Sequence, residues 1–210
     1  MKMLRFVCAA LLFLSGCSSA NATDLPALLA PLKQGGYVVV FRHVATDDSQ
    51  KDVYPFNFDD MKAQRQLSDQ GRAIARQVGA AIRKLGIPVG EVYTSRLNRA
   101  VETGKLLFDR DVKPVDALTD SSAGIASGMA NPAGGNAKAG RALRELVDAP
   151  PKGGTNNMLV THKTNITDAF GKEASDVQES EAFVYKASAA GPAIFVARVK
   201  AADWIAQAGN

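Results

Sequence analysis

Tyr37-Val-Val-Val-Phe41, closed at once by Arg42-His43, decides how the rest of this chain is read. Five consecutive β-branched or aromatic residues leave no polar face, the habit of a strand buried on both sides in a parallel sheet covered by helices. Upstream, residues 24–33 fit a short helix with Asp24 as cap, Leu25, Leu28, Leu29 and Leu32 on one face, and Gly35-Gly36 as stop. Downstream, the clearest helix is 68–85. Ser68 caps it, Ile74, Val78, Ile82 and Leu85 recur at helical spacing, and Gly86 and Pro88 end it. Glu91–Thr94 reads as a strand, about 96–108 as a helix, 137–148 as a helix with Asn136 as cap, and Met158–Thr161 as a second buried strand. Strands at 182–186 and 193–199 and a short helix at 201–207 complete the chain. Strands alternating with helices predict an α/β fold, a three-layer α/β/α sandwich with a mostly parallel central sheet.

The composition is that of an ordinary globular domain: 210 residues, 46% hydrophobic and 22% charged, with a net charge of +4. Lys2 and Arg5 supply two of those charges, and the other basic residues are scattered among acids, so no nucleic-acid-binding stripe is present. Residues 1–22 read as a signal peptide, a basic start followed by an apolar run (Phe6 to Leu14) too short to span a bilayer. Leu14-Ser-Gly-Cys17 resembles a bacterial lipobox, with Cys17 as lipid-anchored N-terminus; Ala20-Asn-Ala22 fits cleavage after Ala22 instead. Of the two the lipobox is preferred. Both place residues 23–210, a single domain, in the periplasm or cell envelope, with membrane contact only through a lipid at Cys17. Nothing in the sequence sets an oligomeric state. Both cysteines lie in the leader, so the domain has neither a disulfide nor a thiol for catalysis or metal binding.

Two long segments, 45–66 and 121–136, fit neither helix nor strand and are candidate pocket walls. The five aspartates of the first (Asp47, Asp48, Asp52, Asp59, Asp60) lack calcium-loop spacing and read as a solvated acidic loop. The chain's two histidines each follow a buried apolar run: His43 after Phe41-Arg42, and His162 after Thr161. Ligands of open parallel sheets bind beyond the carboxyl ends of the strands. Ser95-Arg96-Leu97-Asn98-Arg99 reaches the same edge at a helix start, where free amides favour anions. Two imidazoles with Arg42 and Arg96 or Arg99 suit a phosphate group, although a histidine at a strand end is also a common packing residue.

Four ordered motifs then resemble the histidine phosphatase superfamily, in its phosphoglycerate-mutase-like branch: Phe41-Arg42-His43, Leu67-Ser-Asp-Gln-Gly-Arg72, Tyr93-Thr-Ser-Arg-Leu-Asn-Arg-Ala-Val-Glu-Thr103, and Leu159-Val-Thr-His162. The resemblance covers about 36–186. It implies that His43 is a nucleophile forming a phosphohistidine, that Arg42 and Arg99 clamp the phosphoryl oxygens, and that His162 stabilises the transition state. Asp120, in Ala117-Leu-Thr-Asp120, stands near where the family places its proton donor. Arg65 and Lys163 are further candidate substrate contacts, while Arg96 replaces a usual proline and reads as a rim residue. The implied activity is hydrolysis of a small phosphomonoester without cofactor or metal. A catalytically weak anion-binding envelope protein and a phosphomutase are the alternatives. The chain has no HExxH, Gly-x-Ser-x-Gly or P-loop motif, and its Arg42-His43-Val44-Ala45 departs from the RHGxRxP of the family's acid-phosphatase branch.

Overall fold

The computed structural model describes residues 25–119 and 135–209; Asp24, Cys17, Asp120 and most of the 121–136 segment lie outside them. Six strands form one mixed sheet: β1 (Tyr37–Arg42), β2 (Val89–Thr94), β3 (Lys113–Pro114), β4 (Asn156–Thr161), β5 (Ala182–Lys186) and β6 (Ile194–Val199). Their order is β3-β2-β4-β1-β5-β6. β3, β2, β4 and β1 run parallel, and β5 alone is reversed, pairing antiparallel with both β1 and β6. The mostly parallel sheet expected from the continuous apolar runs is therefore present.

Helices cover both faces. Alternate residues of β1 divide between two cores: Val39 and Phe41 pack with α1 (Leu25–Gln34), α2 (Asp69–Lys84), α3 (Asn98–Phe108) and α6 (Ala201–Gly209). Val38 and Val40 pack with α4 (Gly135–Asp148) and α5 (Lys163–Phe170). β4 divides the same way, with Met158 and Val160 on the first face and Leu159 on the second. Trp204 of α6 anchors the first core, fully buried. Among the described residues no helix is long and apolar enough to cross a membrane.

Several boundaries differ from the pattern-based reading, most of them because a polar side chain takes a backbone partner. β4 begins at Asn156, two residues before the apolar run, because its polar residues pair inside the sheet. Asn156 Oδ1 accepts from Tyr37 N at 3.1 Å, and its Nδ2 donates to the carbonyls of Leu32 and Pro88 at 2.8 and 3.0 Å. Asn157 Oδ1 accepts from Glu91 N, extending β2 backward. The third helix starts at Asn98 rather than 96, since Ser95-Arg96-Leu97 forms a bend, with Leu97 N donating to Ser95 Oγ at 3.1 Å and Leu97 itself in a β conformation. α4 starts at Gly135, so Asn136 lies within the helix instead of capping it. Ser68 does cap α2, its hydroxyl accepting from Gly71 N at 3.0 Å. β3 is a two-residue edge strand in which Pro114 needs no ladder partner.

α2 and α3 lie close because Gly79 presents no side chain: a Cβ there would strike the carbonyl oxygen of Leu107. Gly79→Ala should lower stability by about 1–2 kcal/mol, the overpacking cost exceeding a gain of about 1 kcal/mol in helix propensity. Urea unfolding should show a lower midpoint at unchanged slope.

Candidate active site

β1 and β4 are adjacent and parallel, with Arg42 opposite Thr161. The residue after each strand therefore emerges on the same edge, and His43 N continues the ladder to Thr161 O at 3.0 Å. The two imidazoles meet edge-on, ring centroids 5.2 Å apart at 61°. Both are buried, His43 4% exposed and His162 2%. β2, on the other side of β4, delivers Arg99 in the first turn of α3. Thr103 Oγ1 donates to Arg99 O at 2.6 Å and accepts from Val44 N at 3.3 Å, tying α3 to the residue after His43.

His43 Nδ1 lies 2.8 Å from Val44 O, which can only accept, so the neutral ring carries its proton on Nδ1 and leaves a lone pair on Nε2. Burial, then the nearby Arg99 charge, lowers the His43 pKa from 6.5 to about 3; the bond to Val44 O opposes this, and Arg42 and Arg65 push the same way as Arg99. The ring is a neutral base at ordinary pH.

Three guanidiniums thus lie near enough for their charges to act on one imidazole. Arg42 Nη1 donates to Val177 O at 2.8 Å, and its Nη2 lies 3.4 Å from Glu179 Oε1. Its Nε is buried without a hydrogen bond. Burial lowers the Arg42 pKa, against the raising influence of Glu179, though a guanidinium remains charged. Arg99 is 1% exposed, and both carboxylate oxygens of Asp52 lie 3.0 Å from its Nη1. Arg65 is half-buried, its Nε buried without a hydrogen bond, and its charge acts on both His43 and Arg42.

The structure thus brings together His43, His162, Arg42, Arg99 and Arg65. It leaves Lys163 outside: that side chain is exposed at the first position of α5, and its charge acts on Asp176. Asp120 lies beyond the described residues, but the chain approaching it is fixed beside His162. Thr161 Oγ1 donates to Leu118 O at 2.7 Å, and Asn165 Nδ2 to Thr119 O at 2.9 Å. Arg96 is a rim residue, paired with Asp116 at 3.0 Å and stacked 4.1 Å over the Phe58 ring. Two expectations need correction. The first amide of α3 is not open to an anion, because Asn98 N donates to Gln64 Oε1 at 2.8 Å. Asp52 is not part of a solvated acidic loop; it sits on Arg99 and also accepts from Arg65 N at 2.9 Å. No spacing singles out Asp52 among its four neighbouring aspartates; only the excess of buried cations signalled that a carboxylate must turn inward. Among the described residues no group of three or more His, Cys, Asp or Glu side chains is placed to hold a metal ion.

The sequence profile described as histidine phosphatase superfamily (branch 1) matches residues 38–155. This chain belongs to that superfamily. No curated protein sequence matches the chain. Solved structures share its fold. A mutant phosphoserine phosphatase from Entamoeba histolytica, in complex with phosphoserine, superposes with a TM-score of 0.51 at 14% identity, covering 79% of this chain and 97% of that one. Bacillus stearothermophilus YhfR gives 0.55 at 14%, covering 76% and 94%. The protein histidine phosphatase SixA, complexed with tungstate, gives 0.50 at 14%, covering 80% and 98%.

The low proton affinity of His43 has a consequence for stability. The unfolded chain takes up a proton at this residue below about pH 6.5, whereas the folded chain resists until about pH 3. His43 therefore costs the protein stability as pH falls through that window. Between pH 7 and 4.5, His43→Gln should lose about 2.5 kcal/mol less than the native chain, as one proton's linkage over roughly two pH units. Urea titrations of both proteins at the two pH values would check it.

Proposed function

We propose that this protein is a phosphatase that hydrolyses small phosphomonoesters through a phosphohistidine on His43, without a metal or cofactor. The observation that carries the reading is a neutral imidazole with its Nε2 lone pair free, ringed by Arg42, Arg65 and Arg99 and flanked by His162. A neutral ring can attack phosphorus, and fixed guanidiniums stabilise charge on the equatorial oxygens of the transferring group.

In the first step His43 Nε2 forms a bond to phosphorus as the ester P–O bond breaks in line, and the leaving alkoxide takes a proton. Asp120 is assigned as that donor, supported by the anchoring of Leu118 and Thr119 beside His162. In the second step water attacks the phosphohistidine, its proton returns to Asp120, and the N–P bond breaks to release phosphate. His162 takes the place of a transition-state contact. The leader reading adds that the enzyme works outside the cytoplasm, in the periplasm or held to the envelope by a lipid on Cys17. The signal-like composition of residues 1–22 supports this.

The purified protein should release nitrophenol from an aryl phosphate in excess EDTA, and His43→Ala should abolish turnover. Arg99→Ala should reduce kcat by about 10²–10³, the usual cost of losing one charge-stabilising donor. Rapid quench with a phosphorylated substrate should trap an acid-labile phosphoenzyme that turns over. Saturable binding without labelling would instead favour an anion-binding protein, and passage of phosphorus to a second hydroxyl a mutase.

A further inference from the structure

The groups that would hold a phosphoryl oxygen are almost sealed: His43, His162 and Arg99 are 4%, 2% and 1% exposed. Among the described residues a carboxylate of the protein itself lies on Arg99, with both Asp52 oxygens 3.0 Å from Nη1 and one of them also bound by the Arg65 amide. We infer that residues 46–66 form a strap that closes the phosphoryl site, and that Asp52 is a resident anion surrendered by Arg99 when a phosphoryl group enters. The inference rests on the phosphatase reading of the site and adds a gating residue to it.

The strap is fastened by polar contacts. Thr46 bridges to Leu67, and Val53 N donates to Ala63 O at 2.8 Å. Gln64 accepts from Asn98 N, and Gln66 Oε1 accepts from Asn98 Nδ2 at 2.6 Å. Of its large apolar side chains, Val53, Tyr54 and Met61 face solvent, and Phe56 and Phe58 are only half-buried. A segment with few buried apolar contacts, held by hydrogen bonds that are exposed or only partly buried, belongs to the low-stability end of a structure, from which moving elements are drawn. The exchange also favours substrate chemically. A phosphoryl group brings three acceptor oxygens and nearly two charges to a guanidinium that a carboxylate serves with two oxygens and one charge. A carboxylate and a phosphoryl dianion held on the same nitrogen would repel each other at short range.

The test uses inorganic phosphate as probe with the full chain. Asp52→Asn removes the competing charge at nearly constant shape, so the variant should bind phosphate about tenfold tighter in calorimetry. Equal or weaker binding overturns the role of Asp52, because a residue that merely orients Arg99 would weaken binding when lost. Backbone hydrogen exchange in the unaltered protein gives a reading independent of the variant's folding. Saturating phosphate should speed exchange at the Arg65 and Val53 amides, and unchanged or slowed exchange overturns the strap. Failure of both proteins to bind phosphate with any perturbation of His43 overturns the phosphoryl-site reading itself, and the strap with it.

Discussion

The parallel pairing of β1 with β4 is the constraint from which everything at this site follows. With Arg42 opposite Thr161, the residues one step beyond both strands project from one edge, and the His43 amide extends the ladder to Thr161. Side chains alternate faces along a strand, so a slip of one residue would send the two imidazoles to opposite sides of the sheet. The register is pinned at the far end by Asn156, whose side chain ties together the start of β1, the end of α1 and the entry to β2. Once the pair is fixed, its neighbours supply the remaining groups. β2 beside β4 brings in α3 and Arg99; β5 beside β1 brings the turn before it, whose Val177 carbonyl and Glu179 carboxylate hold Arg42.

A second constraint is electrostatic. Burying a guanidinium demands partners, and the site solves this differently for each arginine. Arg42 leans on a backbone carbonyl and a partly exposed glutamate. The turn carrying that glutamate is braced in turn by Arg198, which grips the buried Glu181 through two bonds of 2.9 and 2.8 Å and Asp176 at 2.7 Å. Arg99, wholly buried, takes Asp52. Burial first, and then the charge of these arginines, disfavours a proton on the imidazole, which is why its proton affinity falls so far. The cations that add to this neutrality are also the groups that would stabilise negative charge growing on a transferring phosphoryl group.

The architecture and the convergence of the two histidines were readable from the sequence because both rest on short-range signals. Continuous apolar runs mark buried parallel strands, and a polar residue immediately after such a run must lie at the sheet's edge. Ser68 as a cap and Gly86 as a stop belong to the same class of local signal. The starts of β4 and of α3 were not readable. The first depends on where the side chains of Asn156 and Asn157 find partners, which come from distant parts of the chain, and the second on the Ser95 hydroxyl taking the Leu97 amide before the helix can use it. Asp52 was illegible for a stronger reason. Among five aspartates in one loop, the inward-facing one is selected by the position of Arg99, 47 residues away, and by the backbone pairing of Val53 with Ala63. Lys163 illustrates the converse: adjacency to His162 in sequence does not bring its side chain inward, because the first turn of α5 presents it to solvent.

The burial of Arg99 explains why a loop with so little apolar anchoring reaches into this site at all. A guanidinium only 1% exposed demands a partner, and among the described residues Asp52 sets both carboxylate oxygens 3.0 Å from its Nη1. That pull brings the loop inward despite the exposure of Val53 and Tyr54. A carboxylate offers Arg99 one charge and two oxygens, whereas a phosphomonoester dianion would bring nearly two charges and three oxygens. A doubly charged ligand therefore holds the electrostatic advantage at this guanidinium.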